Sequence, residues 1–313
     1  MHSLQTWYKE ERKAFSIGIC TSGNDVYLQR LIELVKSDSQ NERWYAKEII
    51  VVASEISDEN RKALAKVSLD TRFKIVFEEK RRGKYEAINR ILHTCSTEYL
   101  VLINGDALPA RGSIFGLLDK LVSDERLAIV SGIPVVNYDG GITAGISALM
   151  WYAHNYALQL LSNEGKNRHS CDELMAVRLG RVPRLPEGTV NDGAYMACWA
   201  SINGYYVSYS PTSFVLINTP KRLGDLMKQR RRISYGHFQV WKRLGVPPST
   251  VESVLMTRPS VGLAILSHII KKRPKLIISI FPAIIEEAFS VLLATIDHVT
   301  YSDRHTVWRR YES

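Results

Sequence analysis

Short apolar runs alternate with amphipathic stretches in the first half of the chain, and this alternation constrains the fold more than any other feature. The apolar runs are rich in β-branched residues and lie at 15–21, 48–52, 73–77, 99–103 and 128–134. Apolar residues three and four positions apart, the spacing of a helix, recur at 26–36, 59–66, 84–95 and 113–123. Asp58 is the expected N-cap of the helix at 59–66. Strands that alternate with helices predict an α/β fold, with a mostly parallel, Rossmann-like sheet and helices on both faces.

The second half of the chain has a different pattern, with longer helices and fewer strands. The sequence predicts helices over 142–161 and 223–244, strands at 173–178, 205–209 and 214–217, and a further helix that begins near Asp192. We expect a catalytic domain over residues 1–245 and a helical C-terminal extension over residues 246–313.

Composition indicates the class of protein and its cellular compartment. Hydrophobic residues make up 45% of the 313 residues and charged residues 23%, as in an ordinary globular protein with a full core. The four cysteines are scattered without a Cys-x-x-Cys pair, and residues 1–13 lack the apolar centre of a signal peptide. We therefore expect a cytoplasmic protein with buried thiols.

Common phosphate-binding patterns are missing after the first predicted strand. Residues 18–25 fit neither the Gly-x-Gly-x-x-Gly dinucleotide motif nor a P-loop, and they lack the Gly-rich basic turn of a nucleotidyltransferase. The turn at 21–25 is polar and acidic instead, and this composition favours hydrogen bonds to a base or a ribose. Thr21 is the first residue of that turn.

A carboxylate follows the strand predicted at 99–103, in the segment Asn104-Gly105-Asp106. Ligands of open α/β sheets bind beyond the carboxyl ends of the strands, and a glycine there lets the backbone approach closely. Such a carboxylate suits a hard divalent cation that carries phosphate oxygens. The alternative is an ordinary strand-to-helix turn in which Asp106 caps the next helix.

Five segments occur in the order typical of one enzyme family. They are Val51-Val52 with residues 53–58, Arg82-Gly83-Lys84 with Ala87-Ile88-Asn89, Asn104-Gly105-Asp106, Val190-Asn191-Asp192, and Gln229-Arg230-Arg231-Arg232 followed by Gly236-His237. With these segments the chain resembles the family-2 glycosyltransferases, inverting enzymes of GT-A fold that use nucleotide sugars. The resemblance covers roughly residues 15–241.

The resemblance implies a role for each matched position. Asp192 would be the general base, and Asp106, with His237, would hold Mg²⁺ or Mn²⁺. The donor, a UDP- or GDP-sugar, would contact Thr21, Ser54, Asp58, Lys84, Asn104, Gln229 and Arg232. The acceptor would be a hydroxyl group on a lipid-linked or glycan molecule, as in glycan biosynthesis.

Four departures from the family pattern keep alternatives open. Ala53-Ser54 replaces donor-binding aspartates, Asn104 replaces the first acid of the metal motif, and Asn191 replaces a glutamate. Ile233 stands where chain-extending synthases carry tryptophan, which argues for the transfer of a single sugar. A non-catalytic binding or scaffold subunit and a nucleotidyltransferase stay as alternatives. Nucleic acid is not an expected partner, because the basic helix at 223–244 lacks aromatic interleaving.

The C-terminal region carries two apolar stretches, at 260–270 and 276–296, separated by a basic segment at 271–275. The second stretch is about long enough to span a bilayer, but it contains Pro282 and the adjacent acids Glu286 and Glu287. An amphipathic helix in the plane of an anionic membrane surface, at its cytoplasmic face, is the less costly arrangement. A helix packed on the core or against a second subunit is the alternative.

Overall fold

The computed structural model describes residues 11–23, 27–136, 141–300 and 305–307, and an eight-stranded sheet lies at its centre. The strand order is β3-β2-β1-β4-β7-β6-β8-β5. The strands are β1 (Lys13–Ser22), β2 (Trp44–Ser54), β3 (Phe73–Glu78), β4 (Tyr99–Asn104), β5 (Ala107–Pro109), β6 (Leu127–Val136), β7 (Leu174–Arg178) and β8 (Tyr206–Ile217).

Two strands run against the rest of the sheet. Strands β1 to β4 are mutually parallel, and β6 is parallel to β8, whereas β7 pairs antiparallel with both β4 and β6, and β5 pairs antiparallel with β8. The carboxyl ends of β1, β2, β4, β6 and β8 therefore meet at one edge of the sheet, together with the amino end of β7. The predicted α/β class is confirmed.

The described part of the chain contains ten α-helices. They are α1 (Leu28–Ser37), α2 (Asp58–Val67), α3 (Lys84–Thr94), α4 (Ser113–Val122), α5 (Ile142–Asn163), α6 (Asp192–Ile202), α7 (Leu223–Leu244), α8 (Val251–Thr257), α9 (Pro259–Lys272) and α10 (Ile280–Val299). A short 3₁₀ helix, Pro274–Ser279, joins α9 to α10. Helix α8 and strand β5 were not predicted, and the two strands predicted at 205–209 and 214–217 form the single strand β8. The start predicted for α1, at residue 26, lies outside the described residues, as does part of the turn at 21–25.

The cap predicted for α2 was wrong. Ser57 has extended backbone angles and its side chain accepts a hydrogen bond from the Asn60 N–H, whereas Asp58 is already the first residue of the helix. A serine in the extended conformation just before a helix satisfies one of the amide groups that the first turn leaves unpaired.

Alternation of side chains along the inner strands builds a core on each face of the sheet. Ile17 and Val101 pack with α1, α2 and α4 on one face, and Leu100 and Leu102 pack with α3 and α6 on the other. Successive residues of a strand point to opposite faces, so a strand covered on both sides is apolar throughout. A third core joins α5 to α8, α9 and α10.

Helix α10 directs its acidic residues toward the protein. The Arg230 guanidinium is 2.8 Å from the Glu287 carboxylate, and Glu286 accepts a hydrogen bond of 2.7 Å from Ser290. Farther along, Arg231 donates two hydrogen bonds of 2.6 Å to Asp297, whose side chain is fully buried. The opposite face of α10 is apolar and exposed. Pro274–Val299 is the one helical stretch of the described chain long and apolar enough to cross a membrane.

Replacing Asp297 with alanine should lower the free energy of unfolding by about 3 kcal/mol, because it leaves the paired Arg231 cation without its anion in a half-buried site. Urea-induced unfolding followed by tryptophan fluorescence measures this change. Glu164→Ala is the matched control, since Glu164 pairs with Lys166 and Arg258 at the surface, where ion pairs contribute little. Equal effects of the two substitutions would contradict the conclusion that the buried Arg231–Asp297 ion pair stabilises the packing of α10 against α7.

Candidate functional site

A cavity of about 1200 Å³ lies beyond the sheet edge where the carboxyl ends of the strands meet. Thr21 and Ser54, near the ends of β1 and β2, line it, as does Asn104 at the end of β4. Helix α3 approaches the cavity with its amino end, which carries Lys84. The partial positive charge of a helix amino end adds to the lysine charge and favours anions there.

Lys84 joins two carboxylates from different parts of the chain. Its Nζ donates a hydrogen bond to Asp172 and lies 3.1 Å from Oδ2 of Asp192. Asp172 lines the cavity with a side chain that is 30% exposed, whereas the Asp192 side chain is 3% exposed and does not line the cavity. Asp192 is thus joined to the cavity through its contact with Lys84.

Close backbone packing places Asp192 next to Lys84. Asn191 caps α6, its Oδ1 accepting a hydrogen bond of 3.0 Å from the Ala194 N–H, and Asp192 is the first residue of the helix. A Cβ on Gly193 would lie 2.6 Å from the Ser170 carbonyl oxygen, and one on Gly236 would lie 2.7 Å from the Asn191 Cβ. Glycine at both positions lets α6 begin in contact with the segment before β7 and with α7.

The two carboxylates around Lys84 have pKa values shifted in opposite directions. Burial raises the pKa of Asp192, and the Lys84 charge offsets this only in part. Burial also acts on Asp172, but the charge and hydrogen bond of Lys84 outweigh it and hold the pKa of Asp172 below its usual range. Burial opposes the charge of Lys84, yet the two carboxylates raise its pKa well above normal. A carboxylate with a raised pKa is the better proton acceptor of such a pair.

Oxygen ligands for a hard cation face the cavity beside this cluster. The Gly105 N–H donates a hydrogen bond of 2.8 Å to the Cys20 carbonyl, which fixes the turn that carries Asn104 and Asp106 against β1. Burial raises the pKa of Asp106, so a cation would stabilise its ionised form. No three His, Cys, Asp or Glu side chains of the described residues are grouped to hold a metal. A cation at Asp106 would therefore take further oxygen ligands from a bound molecule.

Buried histidines line the cavity farther from Lys84. His237, a predicted metal ligand, has its Nε2 3.2 Å from Nε2 of His169, and the His169 ring packs edge-on against His154. Burial lowers the pKa of His169 to about 4 and that of His237 well below its usual range, so both rings are neutral at pH 7. Because the hydrogen bond with His169 uses Nε2 of His237, this nitrogen could bind a metal only after that hydrogen bond is broken.

Helix α7 lines the cavity with Gln229 and Arg232. The Arg232 guanidinium donates to the carbonyls of Val190 and His305, each at 3.2 Å, which joins it to the backbone just before Asp192. Of the residues predicted from the sequence, those that line the cavity are Thr21, Ser54, Lys84, Asn104, Asp106, Gln229, Arg232 and His237. Asp58 lies outside the cavity with an exposed side chain at the start of α2.

Two acidic residues of the site were missed from the sequence. Asp172 and Glu173 line the cavity at the amino end of β7. Burial, together with the Asp172 charge, raises the pKa of Glu173 to about 8, and the Cys171 thiol donates to its carboxyl group at 2.6 Å. Two adjacent acids just before a buried strand were the signal that could have indicated them.

Comparison with known proteins places this geometry in a family. The model of the family described as "Glycosyl transferase family 2" matches residues 16–180, more than half of the chain. A poly-beta-1,6-N-acetyl-D-glucosamine synthase of Staphylococcus aureus is 22% identical over 212 residues, which are 64% of this chain and 50% of the synthase. The synthase of the same name from Staphylococcus epidermidis is 20% identical over 201 residues, 63% of this chain and 49% of its own. The chain thus spans about half the length of these curated relatives.

Solved structures with a similar fold are also glycosyltransferases. A mannosyltransferase from Pyrobaculum calidifontis, in complex with GDP-Man and Mn²⁺, superposes with a TM-score of 0.67 at 18% identity, covering 94% of this chain and 89% of that one. GalNAc-T7 with UDP, GalNAc and Mn²⁺ gives a TM-score of 0.50 at 11% identity, covering 82% and 55%. At these identities the likeness shows a common fold.

Proposed function

Because the chain belongs to glycosyl transferase family 2, we propose that it moves a single sugar from a nucleoside diphosphate donor to a hydroxyl acceptor, with inversion at the anomeric carbon. The observation that carries this proposal is the cluster of Lys84 with Asp172 and Asp192 at the carboxyl edge of the sheet. It combines a cation suited to a diphosphate with a carboxylate whose pKa is raised toward the range of a general base.

Asp192 is the proposed base, and Lys84 controls access to it. The diphosphate of a donor attracts Lys84, since the lysine stands at the amino end of α3 and faces the cavity. Movement of its ammonium group toward the phosphates would uncover the Asp192 carboxylate for the acceptor hydroxyl. Asp172, with its lowered pKa, stays ionised and holds Lys84 in the cluster until the donor arrives.

A divalent cation, Mg²⁺ or Mn²⁺, fits the carboxylate of Asp106 and the amide oxygen of Asn104, with His237 as a further ligand once its contact with His169 is broken. When bound, the cation neutralises the negative charge that develops on the leaving diphosphate. Both solved glycosyltransferases of similar fold were studied with Mn²⁺, one with GDP-Man and one with UDP, in agreement with a UDP- or GDP-sugar as donor.

Donor contacts follow from the remaining cavity residues. Thr21 and Ser54 stand at adjacent strand ends and offer hydroxyl groups to the base or ribose. Arg232 can meet a phosphate with two parallel hydrogen bonds. Asp58 is exposed and outside the cavity, so a direct donor contact is no longer proposed for it.

Metal-dependent donor binding tests the proposal. The melting temperature is measured with a panel of nucleoside diphosphates and nucleotide sugars, with and without Mn²⁺, since a ligand of the native state raises it in proportion to its affinity. We expect a metal-dependent shift for one base. No shift with any member of the panel would contradict the proposal. Binding without any release or transfer of sugar would instead support a non-catalytic binding subunit.

Asp106→Ala should weaken donor binding in the presence of Mn²⁺ by about a hundredfold and leave metal-free binding nearly unchanged, because only the metal-bound route loses a ligand. Isothermal titration with and without Mn²⁺ measures both affinities. Asp58→Ala is the control, since it removes a carboxylate outside the cavity and should change neither. An equal loss with and without metal would show that Asp106 acts in some other way.

We place the acceptor, a lipid-linked or glycan molecule, at the cytoplasmic face of an anionic membrane. The acids of α10 point toward α7, while Phe281, Phe289 and Leu292 are more than half exposed on its outer face, beside the basic residues 271–275. A helix packed along the cationic α7 with an apolar outer face suits the plane of the membrane surface rather than a span across it.

Phe281→Glu should reduce binding to vesicles that contain anionic lipid by about tenfold, since it removes most of the transfer free energy of one buried phenylalanine. Co-sedimentation at two salt concentrations measures the bound fraction. The control is Leu69→Glu, which changes an exposed apolar side chain between α2 and β3. Failure of the unmodified protein to sediment with the vesicles would argue against membrane association.

A further inference from the structure

The cavity that holds the Lys84 cluster continues into a region with a different lining. Helices α5, α8, α9 and α10 enclose this region, which we name the apolar chamber. Its α9 wall consists of Gly262, Ile265, Leu266 and Ile269, residues at positions i, i+3, i+4 and i+7. One complete stripe of α9 thus faces the chamber.

Helix α10 presents a second apolar stripe to the same space. Its lining residues are Ile280, Ala283, Ile284, Ala288 and Val291, interrupted by the charged Glu287. Lining side chains of both helices are open to solvent: Ile284 of α10 is 62% exposed and Leu266 of α9 is 39% exposed. Apolar surface that two helices leave in contact with water indicates that an apolar ligand binds between them.

The chamber has a polar inner end. Arg230 lies there, with its guanidinium 2.8 Å from Glu287 and 4.0 Å from Glu252, and all three residues line the cavity. Beyond them lie His154, His237 and the Lys84 cluster. A ligand in the cavity would pass from an apolar environment, across these three charged side chains, to the proposed site of sugar transfer.

The surfaces beside these two stripes are also apolar. Leu263 and Ile270 of α9 and Phe281 and Ile285 of α10 are exposed and do not line the chamber. The chamber therefore opens within the surface that is proposed to contact lipid.

We infer that the apolar chamber binds the single hydrocarbon chain of an amphiphilic acceptor, whose polar head then reaches the Lys84 cluster. This inference rests on the proposed function and selects the lipid-linked form of its acceptor. A nucleotide sugar does not suit the chamber, because the α9 and α10 stripes carry no cation for its phosphates and Arg230 is already paired with two carboxylates. A free glycan does not fit either, since the α9 and α10 stripes offer it no hydrogen-bonding side chain apart from Glu287.

Displacement of a fluorescent fatty acid, cis-parinaric acid, tests the chamber directly. Alkyl glucosides with chains of increasing length compete for the probe below their micellar concentrations. Each added methylene should strengthen binding roughly fourfold, as expected for about 0.8 kcal/mol per buried CH₂, until the chain fills the chamber and the affinity stops rising. Weak binding that is independent of chain length, or that never saturates, would overturn the inference.

Two leucines on α9 provide a matched pair of variants. Leu266→Trp fills the chamber and should weaken probe binding by about fifteenfold, the equivalent of two buried methylenes. Leu263→Trp changes an exposed residue that does not line the chamber and should leave probe binding within about twofold. Ala288→Trp narrows the chamber from α10 and gives an independent test should Leu266→Trp fold poorly. Equal losses in Leu263→Trp and Leu266→Trp would place the probe on the outer surface and contradict the inference.

Donor binding separates this inference from the proposed function. The melting shift with nucleoside diphosphate and Mn²⁺ should be the same in Leu266→Trp as in the unmodified protein, because the nucleotide lies outside the chamber. If the unmodified protein binds a donor but no alkyl chain, only the inference fails. If it binds the chain but no donor, the proposed function fails and the chamber stands as a lipid site without the assigned acceptor role.

Discussion

Asp192→Asn is expected to reduce sugar transfer by about a thousandfold while the dissociation constant of the donor changes by less than about threefold. Removal of a general base typically lowers the rate by 10²- to 10⁴-fold, and asparagine keeps the shape of the side chain without its proton affinity. The fold should tolerate the change, because Asn191, not Asp192, caps α6. Steady-state kinetics and isothermal titration on the same preparation measure the two quantities.

Asp172→Asn is the matched comparison, since both carboxylates contact Lys84 and differ in exposure and pKa. It should reduce transfer by only about tenfold, because it removes a contact that positions the lysine and leaves the base in place. The reverse ranking, with Asp172→Asn inactive and Asp192→Asn active, would assign the base to the more exposed Asp172.

Lys84→Met is expected to lower transfer at pH 7 by about a hundredfold and to move the acid limb of the rate profile to higher pH. Burial raises the pKa of Asp192, and Lys84 is the group that lowers it; without the lysine this pKa rises further. Since a base must be ionised to accept a proton, activity then requires a higher pH. Raising the pH should recover part of the activity of Lys84→Met.

Kinetics from pH 5 to 9 separate this effect from the loss of a phosphate contact, which would raise the KM of the donor equally at every pH. Lys84→Arg keeps the charge and should retain the original profile, and Lys62→Met, a substitution on the exposed side of α2, should leave rate and profile unchanged. A rate profile for Lys84→Met that falls without shifting would contradict the proposed control of Asp192 by Lys84.

The sequence was sufficient for the α/β class and for most of the cavity residues, because both depend on local patterns. Buried strands appear as apolar runs. Lys84 begins the helix that follows β3, and Asp106 lies in the turn that follows β4. Asp172 and Glu173 escaped notice because β7 is antiparallel to β4. In a parallel sheet the residues before a strand lie at the edge away from the ligand, whereas here the reversal brings them beside Asn104, whose N–H bonds to the Glu173 carbonyl.

Long-range packing explains the other differences. The apolar stretches on α9 and α10 are evident in the sequence. Periodicity alone, however, does not predict that one face of each helix lines a common chamber. Likewise, Glu286 and Glu287 are costly in an apolar helix by themselves. The partner of Glu287, Arg230, becomes evident only when α10 lies along α7, whereas Glu286 accepts its hydrogen bond from Ser290 on the next turn of α10. The error at Asp58 is local: two adjacent residues could both cap α2, and the backbone favoured Ser57.

The stereochemistry of donor cleavage tests the central claim most directly. Proton NMR can follow the slow hydrolysis of an α-linked nucleotide sugar, in which water replaces the acceptor, and identify the anomer released before the two anomers equilibrate. Inverting transfer at a single carboxylate predicts that the β anomer of the free sugar accumulates first, and that Asp192→Asn abolishes its release. Initial release of the α anomer would show retention and contradict the proposed role of Asp192.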